Sequence, residues 1–328
     1  MATSLLIRNS SELIAAVPYV LGFHPVDSVA VVGFNGRSLH FAGRYDLPPP
    51  DCDVDDFAAE NARVVARQDL DFAMVVGYGP PERVTPAALS LADALTRTGL
   101  RVADVMRVTD GRWWSYGCDD PRCCPAEGTP CLPGDSVIAA EATYHGKVAL
   151  PSRRDLVAQV AAVTGEPRER MATATERARK RFTDLLAADQ RHGRSIRRAG
   201  RGAVRDAEKR YRAGRPLTDD EVAWLGVLLV DSAVQDYALD RTGTDEWRVR
   251  LWTDVLRRAE PAHVAAPACM LAFAAWRLGA GPLALVALER ALKQEPGHEL
   301  AGMLHDMIRH GIGPQMVERD GDRGRRPR

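Results

Sequence analysis

Lysine, long apolar runs and complete catalytic motifs are scarce or missing in this chain of 328 residues. Only four of its 44 cationic side chains are lysines. This resembles the coding bias of a GC-rich genome, so the abundance of arginine does not by itself indicate a function. The longest uncharged apolar stretch, Val264 to Trp276, is interrupted by Pro267 and is shorter than the roughly 20 residues of a membrane helix. We therefore expect no membrane span.

A secretory signal is also not recognisable near the N-terminus. The apolar stretch from Leu13 to Phe23 is preceded by Glu12 and interrupted by Pro18, and no small-residue cleavage pattern follows it. We expect a cytoplasmic protein. Because cysteines stay reduced in the cytoplasm, a metal site or free thiols are favoured over structural disulfides.

Phosphate-binding loops are missing as well. The Gly77-Tyr78-Gly79 turn follows a predicted strand, but the chain has neither a G-x-G-x-x-G loop nor a Walker lysine. No nucleotide cofactor is indicated, and zinc is the one cofactor that the residue types suggest.

The pattern of strands and helices predicts two domains, the first of α/β class and the second all-α. In residues 1–148, apolar strands alternate with helices, and Asn35-Gly36 and Asp110-Gly111 are hairpin signals. One helix is expected to begin at Pro86. The predicted architecture is a mixed β-sheet with helices.

Helical periodicity dominates residues 149–312, where Thr218 and Glu221 form a capping-box pattern. The spacing of Gly279, Ala284, Ala291 and Pro296 is similar to a single tetratricopeptide repeat, which predicts a closing helix pair. The polar residues 313–328 are expected to form a disordered tail.

Residues 113–131 hold four of the six cysteines, two adjacent tryptophans and three prolines, which predicts a rigid Cys-rich loop. Zinc takes four sulfur or nitrogen ligands, and the loop supplies that number, with His24 or His145 as substitutes. Against zinc, adjacent cysteines do not easily bind one ion and the usual C-x2-C pairs are absent. A redox disulfide from Cys118 and packed, reduced cysteines are the alternatives. The candidate ligands are Cys118, Cys123, Cys124 and Cys131.

A basic segment follows the Cys-rich loop. Residues 151–215 carry 18 basic and 8 acidic side chains, whereas the whole chain is neutral. The segment 168–215 is expected to form one long helix, a bend and a shorter helix with a cationic face. Such a face could bind nucleic acid, although few aromatic side chains for base stacking lie among the arginines. A solvated helix face or an acidic protein partner are the alternatives.

Three stretches carry a family resemblance: Leu-Gly-Phe-His-Pro within residues 13–29, Gly-Cys-Asp-Asp-Pro-Arg-Cys-Cys-Pro within residues 114–128, and Ala-Trp-Arg-Leu-Gly-Ala-Gly at residues 275–281. They resemble the actinobacterial family named domain of unknown function 4192, over nearly the whole chain. The resemblance implies that His24, Cys118, Cys123 and Cys124 lie on family motifs, whereas Cys131 does not obviously do so. It implies no activity, because the family is uncharacterised.

The distinctive loop without a complete catalytic set predicts a non-enzymatic binding or regulatory module whose partner is a protein. The loop, expected near the junction of the two domains, would be the recognition element. Its anchors would be Trp113, Trp114 and Tyr116, with His24 from the second motif. For the two tryptophans the alternative is core packing, because one of two neighbours in a strand faces inward. An enzyme that uses these thiols or zinc, with His24 as the base, is the alternative of another class.

Overall fold

The computed structural model describes residues 7–188, 193–314 and 317. The chain divides between Asp155 and Leu156 into two compact units. Of the tail predicted over residues 313–328, all but Gly313, Pro314 and Val317 lie outside the described residues.

The N-terminal unit contains a six-stranded mixed sheet with the strand order β2-β1-β3-β4-β5-β6. Strands β3 and β4 are parallel, and all other neighbours are antiparallel. This confirms the α/β class predicted for this part of the chain. The elements are α1 (Ser10–Leu21), β1 (Ser28–Asn35), β2 (Ser38–Asp46), α2 (Val54–Ala66), β3 (Phe72–Tyr78), α3 (Pro81–Arg97), β4 (Arg101–Thr109), β5 (Arg112–Ser115), β6 (Thr129–Pro130) and α4 (Val137–Tyr144).

Helices cover the sheet on both faces. Strand β1 lies between β2 and β3 in the sheet and is buried along nearly its whole length. Val29 and Val31 belong to an apolar core with α2 and α3. On the other face, α1 and β1 together line a small apolar pocket. The close approach of α3 to β3 requires Gly77, because a Cβ there would lie 2.2 Å from a methyl carbon of Val84.

A tight hairpin places the chain at the start of the Cys-rich loop. Asp110 and Gly111 connect β4 to β5 with φ angles of +49° and +73°. Positive φ at both central residues defines the type I′ turn, for which Asp-Gly is a preferred sequence. Strand β5 therefore runs back beside β4 and ends at Ser115, where the loop begins.

The remaining part of the chain is helical, as predicted. Its elements are α5 (Arg153–Gln159), α6 (Glu166–Ala187), α7 (Arg194–Arg212), α8 (Asp219–Leu228), α9 (Ser232–Asp240), α10 (Glu246–Arg258), a 3-10 turn (Pro261–His263), α11 (Ala265–Arg277), α12 (Gly281–Gln294) and α13 (Glu299–Arg309). The Thr218 side chain accepts from the Glu221 backbone, and the Glu221 side chain accepts from the Thr218 backbone, so the predicted capping box forms. Helices α11 and α12 pack together near the end of the chain.

Within the described ranges, no single helix is long and apolar enough to cross a membrane. Helices α8 and α9 reach the necessary length and composition only as a pair, and they are bent by 110° at their junction.

Candidate functional site: a three-thiol loop at the sheet edge

The Cys-rich segment is anchored to the sheet at both ends. Strand β5 carries Trp113 and Trp114, residues 116–128 form the loop, and β6 returns to pair with β5. Directly after β6, the Cys131 backbone N–H donates to the Gly111 carbonyl over 2.8 Å. The loop is therefore shorter than the predicted segment 113–131, because strands take both of its ends.

Hydrogen bonds also fix the first residues of the loop. The Tyr116 backbone N–H donates to the Val105 carbonyl over 2.8 Å, and the Tyr116 hydroxyl lies 2.5 Å from the Thr85 hydroxyl. Just before it, the Ser115 hydroxyl donates to the Asp104 carboxylate over 2.7 Å. Tyr116 is thus half-buried and held on β4 and α3.

Side chains of β5 hold the end of the loop. Arg112 donates to the carbonyls of Glu127 and Gly128 over 2.7 and 2.8 Å. The Trp114 indole N–H donates to the Ala126 carbonyl over 3.0 Å. Three consecutive carbonyls are therefore tied to the edge strand that precedes the loop.

Trp114 packs between a cation and a glycine. The Arg107 guanidinium lies 4.0 Å from the ring centroid, within the range of a cation–π contact. On Gly128, which has φ +78°, a Cβ would lie 2.4 Å from the ring. Trp113 points to the core and is 7% exposed, so core packing is its role in this structure rather than an anchor on the surface.

A turn at Asp120 brings three thiols together. Its carbonyl accepts from the backbone N–H groups of Cys123 and Cys124 over 3.0 and 2.7 Å, and its carboxylate accepts from the Arg122 backbone over 2.9 Å. The sulfurs of Cys118, Cys123 and Cys124 all lie within 4.8 Å of one another. The sulfurs of the two adjacent cysteines, Cys123 and Cys124, therefore both lie close to the sulfur of Cys118.

The thiols of this group differ in acidity. Hydrogen bonding from the Cys124 thiol and from the Asp120 backbone N–H lowers the pKa of Cys118. The same bond to Cys118, together with partial burial, raises the pKa of Cys124 to about 12. The first negative charge of the group therefore forms on Cys118, because its neighbours donate hydrogen bonds to it.

The other predicted site residues lie elsewhere. Among the described residues, neither Cys131 nor a histidine belongs to the three-thiol group. Burial raises the pKa of Cys131, whose backbone is bonded to the β4–β5 turn. His24 is exposed, and its backbone N–H donates to the Leu150 carbonyl over 2.9 Å. His145 caps the end of α4 and makes an edge contact with Tyr144.

Ion pairs between helices reduce the charge of the basic segment. Arg170 binds Asp219 over 3.2 Å, and Arg177 binds Asp220 over 2.6 Å. Both carboxylates belong to the first turn of α8, not to the basic segment itself. Among the described pairs, only that of Arg170 with Glu166, at 3.0 Å, joins a cation of the segment to an acid on the same helix.

The fold and site define a protein with a thiol-bearing α/β unit followed by a helical unit. A sequence profile of the family described as Domain of unknown function (DUF4192) matches residues 11–315. The match covers nearly the whole chain, so the protein belongs to this family. No curated protein and no solved structure matches the chain. Family membership therefore assigns the protein to a family but assigns no activity to it.

Proposed function

We propose that this protein is a non-enzymatic binding module whose recognition loop, residues 116–128, is held in shape by a zinc ion. The thiolates of Cys118, Cys123 and Cys124 would be the ligands. The observation that carries the proposal is the approach of their three sulfurs to within 4.8 Å.

The sulfur positions are close to those that zinc requires. With Zn–S bonds of about 2.3 Å, two sulfurs on a tetrahedral ion lie about 3.8 Å apart. The three sulfurs here therefore need to move by no more than about 1 Å to reach that geometry. Movements of this size are within reach of cysteine side chains on an exposed turn, so the backbone need not refold.

The protonation pattern also favours a metal. Zinc binds thiolates, so each ligand must lose its proton, and Cys118 with its lowered pKa is prepared to do so first. The Asp120 backbone N–H that donates to its sulfur would then act as an outer hydrogen bond to a metal ligand. Binding of the dication would in turn lower the pKa of Cys124, which is raised in the metal-free group.

Three protein ligands leave one tetrahedral position open. In this arrangement three thiolates give a site with a net charge of about −1, which weakens zinc as a Lewis acid compared with a site of neutral histidines. Water activation is therefore less favoured than exchange of the fourth ligand. We infer that a partner protein supplies a side chain to this position and docks on the surface around Tyr116.

Metal analysis tests the proposal directly. Protein purified without added metal should contain about one zinc per chain, and Co²⁺ in its place should show thiolate charge-transfer absorbance. Cys118→Ser and Cys124→Ser should lose both signals. Cys131→Ser is the matched control and should keep them, because Cys131 lies outside the group.

Two results would contradict the proposal. In the first, the protein is folded and metal-free, its cysteines are reduced, and it does not bind added zinc. The three cysteines would then be packed thiols without a metal. Cysteines that resist alkylation until a reductant is added would indicate a disulfide of Cys118 instead.

A further inference from the structure

A continuous row of cations runs along α7. It consists of Arg194, Arg198, Arg201, Arg205, Lys209 and Arg212, called the α7 stripe below. All six side chains are exposed, and they follow one another at intervals of four, three, four, four and three residues. At 100° per residue they fall within an arc of about 80°, and at 1.5 Å per residue they span about 27 Å. The stripe is thus straight and faces one direction.

Neighbouring acids do not neutralise the stripe. Among the described residues none of the six forms an ion pair, whereas the other α7 arginines do: Arg197 with Asp231 at 3.7 Å and Arg210 with Glu221 at 3.0 Å. Asp206 is exposed, but it lies about 100° from the centre of the stripe. The charge of the stripe therefore remains free for a ligand.

The one carboxylate on the stripe side of α7 is already used. Glu208 is 4% exposed and accepts from Arg241 over 2.9 and 2.5 Å and from Arg248 over 2.7 Å. Arg248 also pairs with Asp245 over 3.2 Å, so two guanidinium groups meet two carboxylates here, and Glu208 does not offset the charge of the stripe.

A groove lies beside the C-terminal half of the stripe. It has a volume of about 400 Å³ and is lined by Arg205, Glu208, Lys209, Arg212, Ala213 and Arg241. The guanidinium of Arg212 also lies 5.1 Å from the ring centroid of Trp247, which orients it without cancelling its charge. Cations thus line the groove from two helices.

We propose that the α7 stripe binds the phosphate backbone of a nucleic-acid duplex without reading its sequence. Five of the six cations are arginines, whose planar guanidinium groups bind phosphate oxygens in pairs. A straight row about 27 Å long matches a regular line of charge, such as a duplex backbone. This proposal does not depend on the thiol loop.

Two other anionic partners fit the stripe less well. A helix that binds a membrane surface places apolar side chains next to its cations. The residues of α7 that flank the stripe are instead small or polar: Ser195, Gly202, Asp206, Arg197 and Glu208. A single strand is bound by stacking of its bases on aromatic rings. Tyr237 and Trp247 lie instead under the guanidinium groups of Arg201 and Arg212.

The salt dependence of duplex binding tests the proposal. A fluorescent duplex of about 20 base pairs should bind the full chain, and log K should fall with log salt with a slope of about −5 for six contacts. In the triple variant Arg194→Gln, Arg198→Gln, Arg205→Gln the slope should become shallower by about 2.7, and binding at 0.1 M salt should weaken on the order of 10²-fold.

The control removes the same charge elsewhere in the helical unit. Arg250→Gln, Lys293→Gln and Arg309→Gln are changes of exposed side chains outside the stripe, and together they should leave the slope unchanged. Equal effects of the two triple variants would overturn the proposal, because net charge alone would then explain binding. It would equally be overturned by no duplex binding at 50 mM salt, or by binding to anionic vesicles without binding to the duplex. Unchanged thermal unfolding and zinc content of the variants would show that the fold and the thiol loop are intact.

Discussion

The substitution Glu208→Gln should strongly destabilise the helical unit. The Glu208 carboxylate, 4% exposed, accepts three hydrogen bonds from Arg241 and Arg248. Glutamine has the same shape but no charge. Its side-chain NH2 group would face the N–H groups of the arginines, and two donors cannot form a hydrogen bond with each other. The Arg248 side chain, 8% exposed, would then keep its 3.2 Å contact with Asp245, which is largely exposed, and its cation–π contact with the Trp247 ring at 4.3 Å.

The size of the effect follows from this burial. Removal of one partner from a buried ion pair costs about 3–5 kcal/mol, because the remaining charge stays out of water. Arg241 is partly exposed and can turn to solvent, so the lower end of the range, about 3 kcal/mol, is expected. For a unit of this size that corresponds to a fall in Tm of roughly 6–12 °C.

Thermal unfolding followed by circular dichroism measures this change. Glu246→Gln is the matched control, since Glu246 and Arg250 form an exposed pair at 3.9 Å that should contribute less than about 1 kcal/mol. A fall in Tm for Glu208→Gln no larger than that of the control would refute the reasoning. In the double variant Glu208→Leu, Arg248→Leu much of the stability should return, because neither buried charge remains.

Three further results are expected. In alkylation of metal-free protein at neutral pH, followed by mass spectrometry, Cys118 should react fastest within its group because its pKa is lowered, and Cys269 should react last because burial raises its pKa to about 12. Gly128→Ala should weaken zinc binding up to about 30-fold, since a left-handed residue with a side chain costs about 1–2 kcal/mol, whereas Gly134→Ala, in open space, should change little. Burial, and to a smaller extent the charge of Arg179, lowers the pKa of His263, so as pH falls this histidine is protonated in the unfolded state before it is protonated in the folded state. The free energy of unfolding, measured by denaturant titration, should therefore decrease below about pH 6.5. The decrease should be smaller in His263→Gln.

Local signals in the sequence predicted most of the elements. The Asp110-Gly111 hairpin forms as predicted, and Gly22 ends α1 with φ +83°, the left-handed conformation that glycine favours after a helix. The predicted start of α3 was wrong, because the helix begins at Pro81 and not at Pro86. Both prolines fit a helix start locally, and the close approach of α3 to Gly77 is a tertiary contact that single-sequence patterns do not contain.

The candidate site was predictable as a segment but not as a set of atoms. The residue types indicated a thiol group in residues 118–131, yet the count of four ligands included Cys131. Pairing of β6 with β5 places Cys131 beside the Gly111 turn, and the turn at Asp120 gathers the other three thiols. Alternation along β5 likewise required one tryptophan to face inward, but which one depends on the register of the strand.

Charge counting in the basic segment overestimates the charge that a partner would meet. The acids that bind Arg170 and Arg177 come from the start of α8, where they also favour the helix dipole, so their pairing cannot be found by spacing within the segment. Spacing along α7 is different, because the phase of one helix decides which cations share a face. On α7, the exposed cations that remain without an ion pair are therefore those of the α7 stripe. A ligand for this unit should depend on those six positions, and hardly at all on the paired arginines of α6.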